Sequence, residues 1–148
     1  MDKSITEEAE KSLNLYREAL NLSLEQNNYA QAYYHGINVA FLELHHLREP
    51  ESACKTAQQV LDLCERAAQS EETDTNKMWR LATQGEAWLI QGDADQAKAH
   101  YLQAFNMEKR PEPWQFASTV QQALHILDRL DSHKLAQQML EIFEGSPS

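Results

Sequence analysis

The sequence predicts an all-α protein, a right-handed α-solenoid of about seven antiparallel helices. Two observations lead to this fold class. The 148 residues include only four Gly and four Pro, which leaves room for long helices. Apolar residues also recur at spacings of three and four along most of the chain, as they do on the buried face of a helix. We expect a single helical-repeat domain over residues 1–148.

One unpaired helix is predicted first, over residues 5–27. Apolar side chains follow one face of this segment at helical spacing, and the polar pair Asn27-Asn28 ends it. A helix pair over 29–69 follows. Its first half is apolar nearly all round, which is typical of a helix between two neighbours. Its second half begins near Pro50, because proline is favoured at the first helical position.

Two further helix pairs are predicted at 77–109 and 113–144. They are separated by Pro111 and Pro113, which prevent one continuous helix through this point. Before them, the polar segment 70–76 contains no apolar side chain and is predicted to form an exposed loop. Consecutive pairs are expected to stack, because each exposes an apolar face that only a neighbour covers.

The most specific pattern lies between Met78 and Pro111. Small and large side chains fall where a helix-turn-helix unit of about 34 residues needs them. They are Leu81, Gly85, Trp88, Gly92, Ala97, Tyr101, Ala104 and Pro111. Gly85 lets the two helices approach closely, and Asp93 is placed to cap the second helix. The segment resembles one tetratricopeptide repeat, which implies a solenoid that binds other proteins.

A narrower resemblance extends over roughly residues 29–130. It is carried by the segment Tyr33-Tyr34-His35-Gly36-Ile37-Asn38-Val39-Ala40, by Trp79 with Ala82-Thr83 and Glu86-Ala87, and by Trp114 with Ser118-Thr119-Val120. Together these segments resemble the TRAF-binding region of apoptosis signal-regulating kinases, which also occurs in bacterial proteins without the kinase. The resemblance implies a helical-repeat scaffold, which in the kinases recruits adaptor proteins. The sequence lacks the Gly-rich loop, HRD and DFG motifs of a kinase, so kinase activity is not implied.

The concave face of such a scaffold is expected to carry the partner. With Gly85 as the register mark, the side chains predicted to line this groove are Tyr33, Tyr34, Ile37, Phe41, Trp79, Thr83, Glu86 and Ile90. Aromatic side chains supply large contact area at low entropic cost, which favours a protein or peptide partner. An acidic C-terminal peptide is not expected, because Glu86 stands where a clamp for such tails needs asparagine.

The leading functional prediction is a non-catalytic interaction scaffold or regulatory repeat domain in a signalling or stress-response assembly. A small-molecule-sensing pocket around Tyr33 and Tyr34 stays open, as does, more remotely, a metal-dependent enzyme at His45-His46. The histidine pair lacks HExxH spacing, and the chain has no P-loop, Ser-centred elbow or dinucleotide fingerprint. We therefore expect no enzyme activity, no cofactor and no metal.

Composition narrows the possible partners and location. A net charge of −10 opposes binding to nucleic acid. No apolar run reaches the ~20 residues of a membrane span, and the first residues lack the basic and apolar regions of a signal peptide, so a cytoplasmic protein is expected.

Cys54 and Cys64 lie on one predicted helix, too far apart for a disulfide, and are expected to be free thiols. Homo-oligomerisation stays open.

Overall fold

The computed structural model describes residues 3–106, 122–123 and 125–126, with side chains from residue 7 onward. Five helices make up residues 3–106: α1 (Lys3–Glu25), α2 (Tyr29–His45), α3 (Pro50–Ala68), α4 (Asp74–Ile90) and α5 (Ala94–Phe105). No strand occurs among the described residues, so the predicted all-α class is confirmed. Residues 122, 123, 125 and 126 are helical, and the rest of the predicted pair 113–144, with Trp114, lies outside the described residues.

Short polar side chains set the starts of three helices. Asn28, Thr73 and Asp93 each accept a hydrogen bond from the backbone N–H three residues later, at 3.2, 3.1 and 3.1 Å. Each bond satisfies one of the backbone donors that a helix leaves free at its first turn. Pro50 is the first residue of α3, as predicted. Asn27 has a positive φ of 55°, which ends α1 before the capped start of α2.

The sequence predicted an exposed loop over residues 70–76, and this prediction is wrong for the second half of the segment, which belongs to α4. Because Thr73 caps α4 and Asp74 complements the positive end of the helix dipole, α4 begins three residues before the predicted residue 77. Glu72 is also largely shielded from solvent: the Nε of Arg80 donates to its carboxylate at 2.7 Å. The polar composition of this segment therefore reflects a helix cap and an ion pair as well as a loop.

The helices pack in sequence order. Each of α1 to α4 contacts the next helix along the chain, and α2 also contacts α4. The core between them is filled by the largest fully buried side chains that the structure describes: Tyr101, Leu89, Ile90, Ile126, Val60 and Cys64. Both α2 and α4, the first helices of their predicted pairs, thus lie side by side. Their neighbouring surfaces form the walls of the candidate site.

The packing predicted around Gly85 is confirmed. A Cβ atom at this position would lie 2.9 Å from the ring of Tyr101 on α5, a distance too short for any side chain. Tyr101 itself is fully buried, as are Ala97 and Ala104 on either side of it. Gly92 has a φ of 81° in the turn between α4 and α5, a conformation that favours glycine. These features bring α4 and α5 into close contact.

Two smaller sequence expectations also have structural counterparts. Cys54 and Cys64 are free thiols, and the thiol of Cys54 contacts the backbone carbonyl of Ile90 at 3.6 Å. Within the described ranges, no helix combines the length and apolarity that a membrane crossing requires.

Candidate functional site

The faces of α2 and α4 form a small cleft with Gln122 as its third wall. This cleft has a volume of about 260 Å³ and is called the Glu86 cleft below. It is lined by Tyr34, Ile37, Asn38, Trp79, Ala82, Thr83, Glu86 and Gln122. Five of the side chains predicted for the partner-binding groove therefore meet here: Tyr34, Ile37, Trp79, Thr83 and Glu86.

Three other predicted groove residues lie elsewhere. Phe41 lines a neighbouring cleft of about 550 Å³, which shares Asn38 and Gln122 with the Glu86 cleft. Tyr33 lines a different cleft, of about 610 Å³, at the ends of the helices. Tyr33 and Tyr34 differ by about 100° around the helix axis, so they cannot both face the Glu86 cleft.

Ile90 is a core residue in the structure and does not face the groove. Only 2% of its surface is exposed. The contact between the Cys54 thiol and the Ile90 carbonyl shows that α3 lies against this end of α4. Helical spacing from Glu86 led to the groove assignment, and the packing of α3 is the physical reason why Ile90 is covered.

Glu86 is the chemically distinctive residue of the cleft. Its side chain is almost entirely buried, and the Nε2 of Gln122 donates to both carboxylate oxygens at 3.2 Å each. Burial raises the pKa of Glu86 to about 8, and the hydrogen bond from Gln122 acts in the opposite direction. Burial therefore favours the protonated form of Glu86 and makes its charged form dependent on a partner.

Aromatic side chains stand on both sides of the cleft. Tyr34 on α2 is 53% exposed, which is unusual for a large aromatic residue of a folded core helix. Trp79 on α4 is partly buried and packs against the core. The Nδ2 of Asn38 donates to the backbone carbonyl of Tyr34 at 2.9 Å, so the side-chain oxygen of Asn38 is not used in that bond. The walls thus offer two aromatic rings and polar acceptors.

The neighbouring 550 Å³ cleft contains a histidine cluster. The ring of His45 lies 4.7 Å from that of His46 and 4.9 Å from that of His125, and it stacks on Phe41 at 5.2 Å. Within the part of the chain that the structure describes, no group of three His, Cys, Asp or Glu side chains is arranged to hold a metal ion. The histidines are packed against one another and against an aromatic ring.

Gln122 and His125 are site residues that the sequence did not indicate. Gln122 is 36 residues from Glu86, and His125 is far along the chain from His45. Neither residue belongs to a recognisable motif. Glutamine and histidine are common on exposed helix faces, so their presence in the sequence gave no sign of a site. Only the fold brings them to α2 and α4.

Comparisons with known proteins leave the relationships of this chain open. It matches no protein-family model, no curated protein and no solved structure. The class that the fold itself defines is an all-α protein with a cleft between its second and fourth helices. The tetratricopeptide and TRAF-binding resemblances stay predictions from the sequence.

Proposed function

We propose that the protein is a non-catalytic interaction scaffold that holds a protein partner at the Glu86 cleft. The single observation that carries the proposal is the composition of this cleft. It combines the exposed ring of Tyr34 with Trp79 and with polar side chains that include Thr83 and Glu86. Aromatic rings that border a small pocket are typical of the anchor points of protein interfaces.

The size of the cleft favours a protein or peptide over a free metabolite. Its 260 Å³ is slightly below the range of about 300–1,000 Å³ that is usual for small-molecule pockets. A single side chain of a larger partner fits such a volume, and the remaining contacts then fall on the surrounding helix faces.

The architecture proposed is a tetratricopeptide-like right-handed α-solenoid. It is supported by the packing of each helix on the next and by the additional contact between α2 and α4, which are the first helices of adjacent predicted pairs. A place in a cytoplasmic signalling or stress-response assembly is proposed from the sequence resemblance alone.

Site-specific photo-cross-linking tests the scaffold. Benzoylphenylalanine replaces Tyr34 in one variant and Leu22 in a control, since these residues are 53% and 54% exposed but Leu22 lies on α1. We expect a discrete protein adduct in cells at position 34 and none at position 22. The adduct should also diminish when Thr83, in the cleft wall, is changed to the bulkier Phe. Equal labelling at both positions, or no adduct at position 34, contradicts the proposal.

A small-molecule sensor is a second candidate. It is favoured by the volume of the neighbouring cleft, which contains His45, His46 and His125. Its 550 Å³ lies within the usual range for a small ligand, and Tyr16, Phe41 and His45 line it. A thermal-shift screen of metabolites tests this candidate. It predicts a stabilising compound whose effect is lost on Phe41→Ala, and a screen without such a compound contradicts it.

A further inference from the structure

We propose that the Glu86 cleft recognises a basic side chain, an arginine or lysine of the partner peptide, with its cation against Glu86. This inference rests on the proposed function and names the chemistry of the partner. It is carried by the position of the carboxylate, by the aromatic walls and by the charge of the chain.

The first step is the unbalanced environment of Glu86. Among the residues that the structure describes, Gln122 is the only side chain that donates to its carboxylate, and no Lys or Arg pairs with it. A carboxylate has about four lone-pair positions, so one amide nitrogen leaves part of its capacity free. A buried carboxylate is stable only when it is protonated or paired with a cation. The cleft gives a cation from outside the chain access to this group.

The second step concerns the walls. Tyr34 and Trp79 both line the cleft, and the face of an aromatic ring attracts ammonium and guanidinium groups. Thr83 and Asn38 add hydrogen-bond acceptors at the same place. A carboxylate combined with two aromatic rings is selective for a cation with an apolar stem, which describes both arginine and lysine.

The third step is the long-range field. The chain has a net charge of −10, so a basic peptide is attracted before contact and an acidic one is repelled. The volume of 260 Å³ accommodates one such side chain. Charge complementarity thus selects the same class of partner as the local geometry.

A direct test uses N-acetyl-arginine methylamide and N-acetyl-lysine methylamide as probes. The citrulline counterpart of the arginine probe is the control, because citrulline has nearly the same shape as arginine without the charge. Binding is followed by NMR at the indole N–H of Trp79, assigned with a Trp79→Phe variant. We expect millimolar binding of the arginine and lysine probes and at least tenfold weaker binding of citrulline. Equal binding of citrulline, or no response to either cation, overturns the inference.

Variants locate the binding charge. Glu86→Gln preserves the shape of the side chain and should weaken binding of the arginine probe at least tenfold. Thr83→Lys should abolish binding of the arginine probe. Residues 83 and 86 are neighbours on one face of the helix, so the new ammonium group occupies the place of the ligand cation beside Glu86. The control Glu65→Gln removes an exposed charge on α3 and should leave binding unchanged. Unaltered binding in Glu86→Gln overturns the inference.

The cross-linking experiment separates this inference from the proposed function. An adduct at position 34 that persists undiminished in Glu86→Gln leaves the scaffold intact and overturns the basic anchor. Absence of the adduct in the wild-type background contradicts the scaffold, whereas a Trp79 response to the arginine probe that is lost in Glu86→Gln still supports the preference of the cleft for a cation.

Discussion

Gln122 donates from a single amide nitrogen to both carboxylate oxygens of Glu86, and this contact joins two helical segments that are 36 residues apart in sequence. The bond holds a carboxylate in a nearly water-free position beside an open cleft. It therefore links the stability of the fold to the protonation of the candidate site.

Stability should depend on pH through Glu86. Its folded-state pKa of about 8 lies above the usual value of 4.5, so the folded protein holds the proton more tightly than the unfolded chain. The resulting stabilisation is complete below about pH 4.5 and is lost as the pH rises through about 8. Urea denaturation from about pH 5 to about pH 9 should show a decline on the order of a few kcal/mol.

Glu86→Gln is the control for this pH dependence. The variant should lack the decline, so the difference between the two unfolding curves isolates the contribution of Glu86 from that of the other carboxylates. The nearby phenol of Tyr101 does not interfere, because burial, and secondarily the charge of Glu86, raises its pKa well above the usual value. Parallel curves for the two proteins would show that Glu86 keeps an ordinary pKa.

Gln122→Leu should move the same transition to higher pH. The amide of Gln122 stabilises the charged form of Glu86, and its removal raises the pKa of the carboxyl group further. The midpoint can be followed by NMR of the Glu86 side chain in labelled protein. A midpoint that falls or stays constant would mean that the bond does not favour the carboxylate.

Gly85→Ala should destabilise the fold by about 1–3 kcal/mol, because the new methyl group meets the buried ring of Tyr101 at 2.9 Å. Gly92→Ala is the comparison: there is open space around it, but its φ of 81° makes alanine cost roughly 1–2 kcal/mol. Adding Tyr101→Leu should reduce the penalty at position 85 and leave that at position 92 unchanged. Additive free energies of unfolding at positions 85 and 101 would disprove this contact.

Ala97→Arg tests the register of α5. Ala97 has no exposed surface, so arginine there buries a charge and overfills the contact with α4, at a cost of roughly 3–5 kcal/mol. Gln96→Arg should change stability by less than about 0.5 kcal/mol, since the side chain of Gln96 is exposed and only its backbone N–H takes part in the cap. Similar melting temperatures for the two variants would place the buried face of α5 elsewhere.

Two ion pairs among the described residues should differ in how much their loss destabilises the fold. Arg80 and Glu72 lie 2.7 Å apart with side chains only 11% and 14% exposed, so Arg80→Met strands a shielded carboxylate and should cost about 3–5 kcal/mol.

Arg17→Met provides the contrast, since Arg17 is 46% exposed and pairs with Glu43 at 3.3 Å. Its loss should cost less, about 1–3 kcal/mol, because Glu43 is itself only 5% exposed but keeps the hydroxyl of Thr56 at 2.6 Å as a donor. Denaturant titrations at low and high salt measure both effects. Equal losses for the two arginines would show that the hydroxyl of Thr56 does not compensate Glu43 for the missing cation.

Local sequence predicted much of the fold because helix starts depend on nearby residues. Pro50 and Asp93 act where their chemistry indicated, since helix-start signals lie within or beside the first turn. Asn28, predicted only as part of a helix break, also caps α2. The start of α4 was predicted too late, because Thr73 lies in a polar stretch that equally suits a loop. The helical period within α2 and within α4 also predicted that Tyr34 and Glu86 line the same groove.

The sequence by itself determined the helical class, the cap at Asp93 and five of the side chains that line the cleft between α2 and α4, because these follow from residue types and spacings within single helices. Only the tertiary structure decided that Ile90 is covered by α3 and that Gln122 reaches Glu86. Contacts between distant segments depend on how whole helices pack, and no spacing along one helix encodes them. The raised pKa of Glu86 belongs to the same category, since it arises from surroundings that several helices build together.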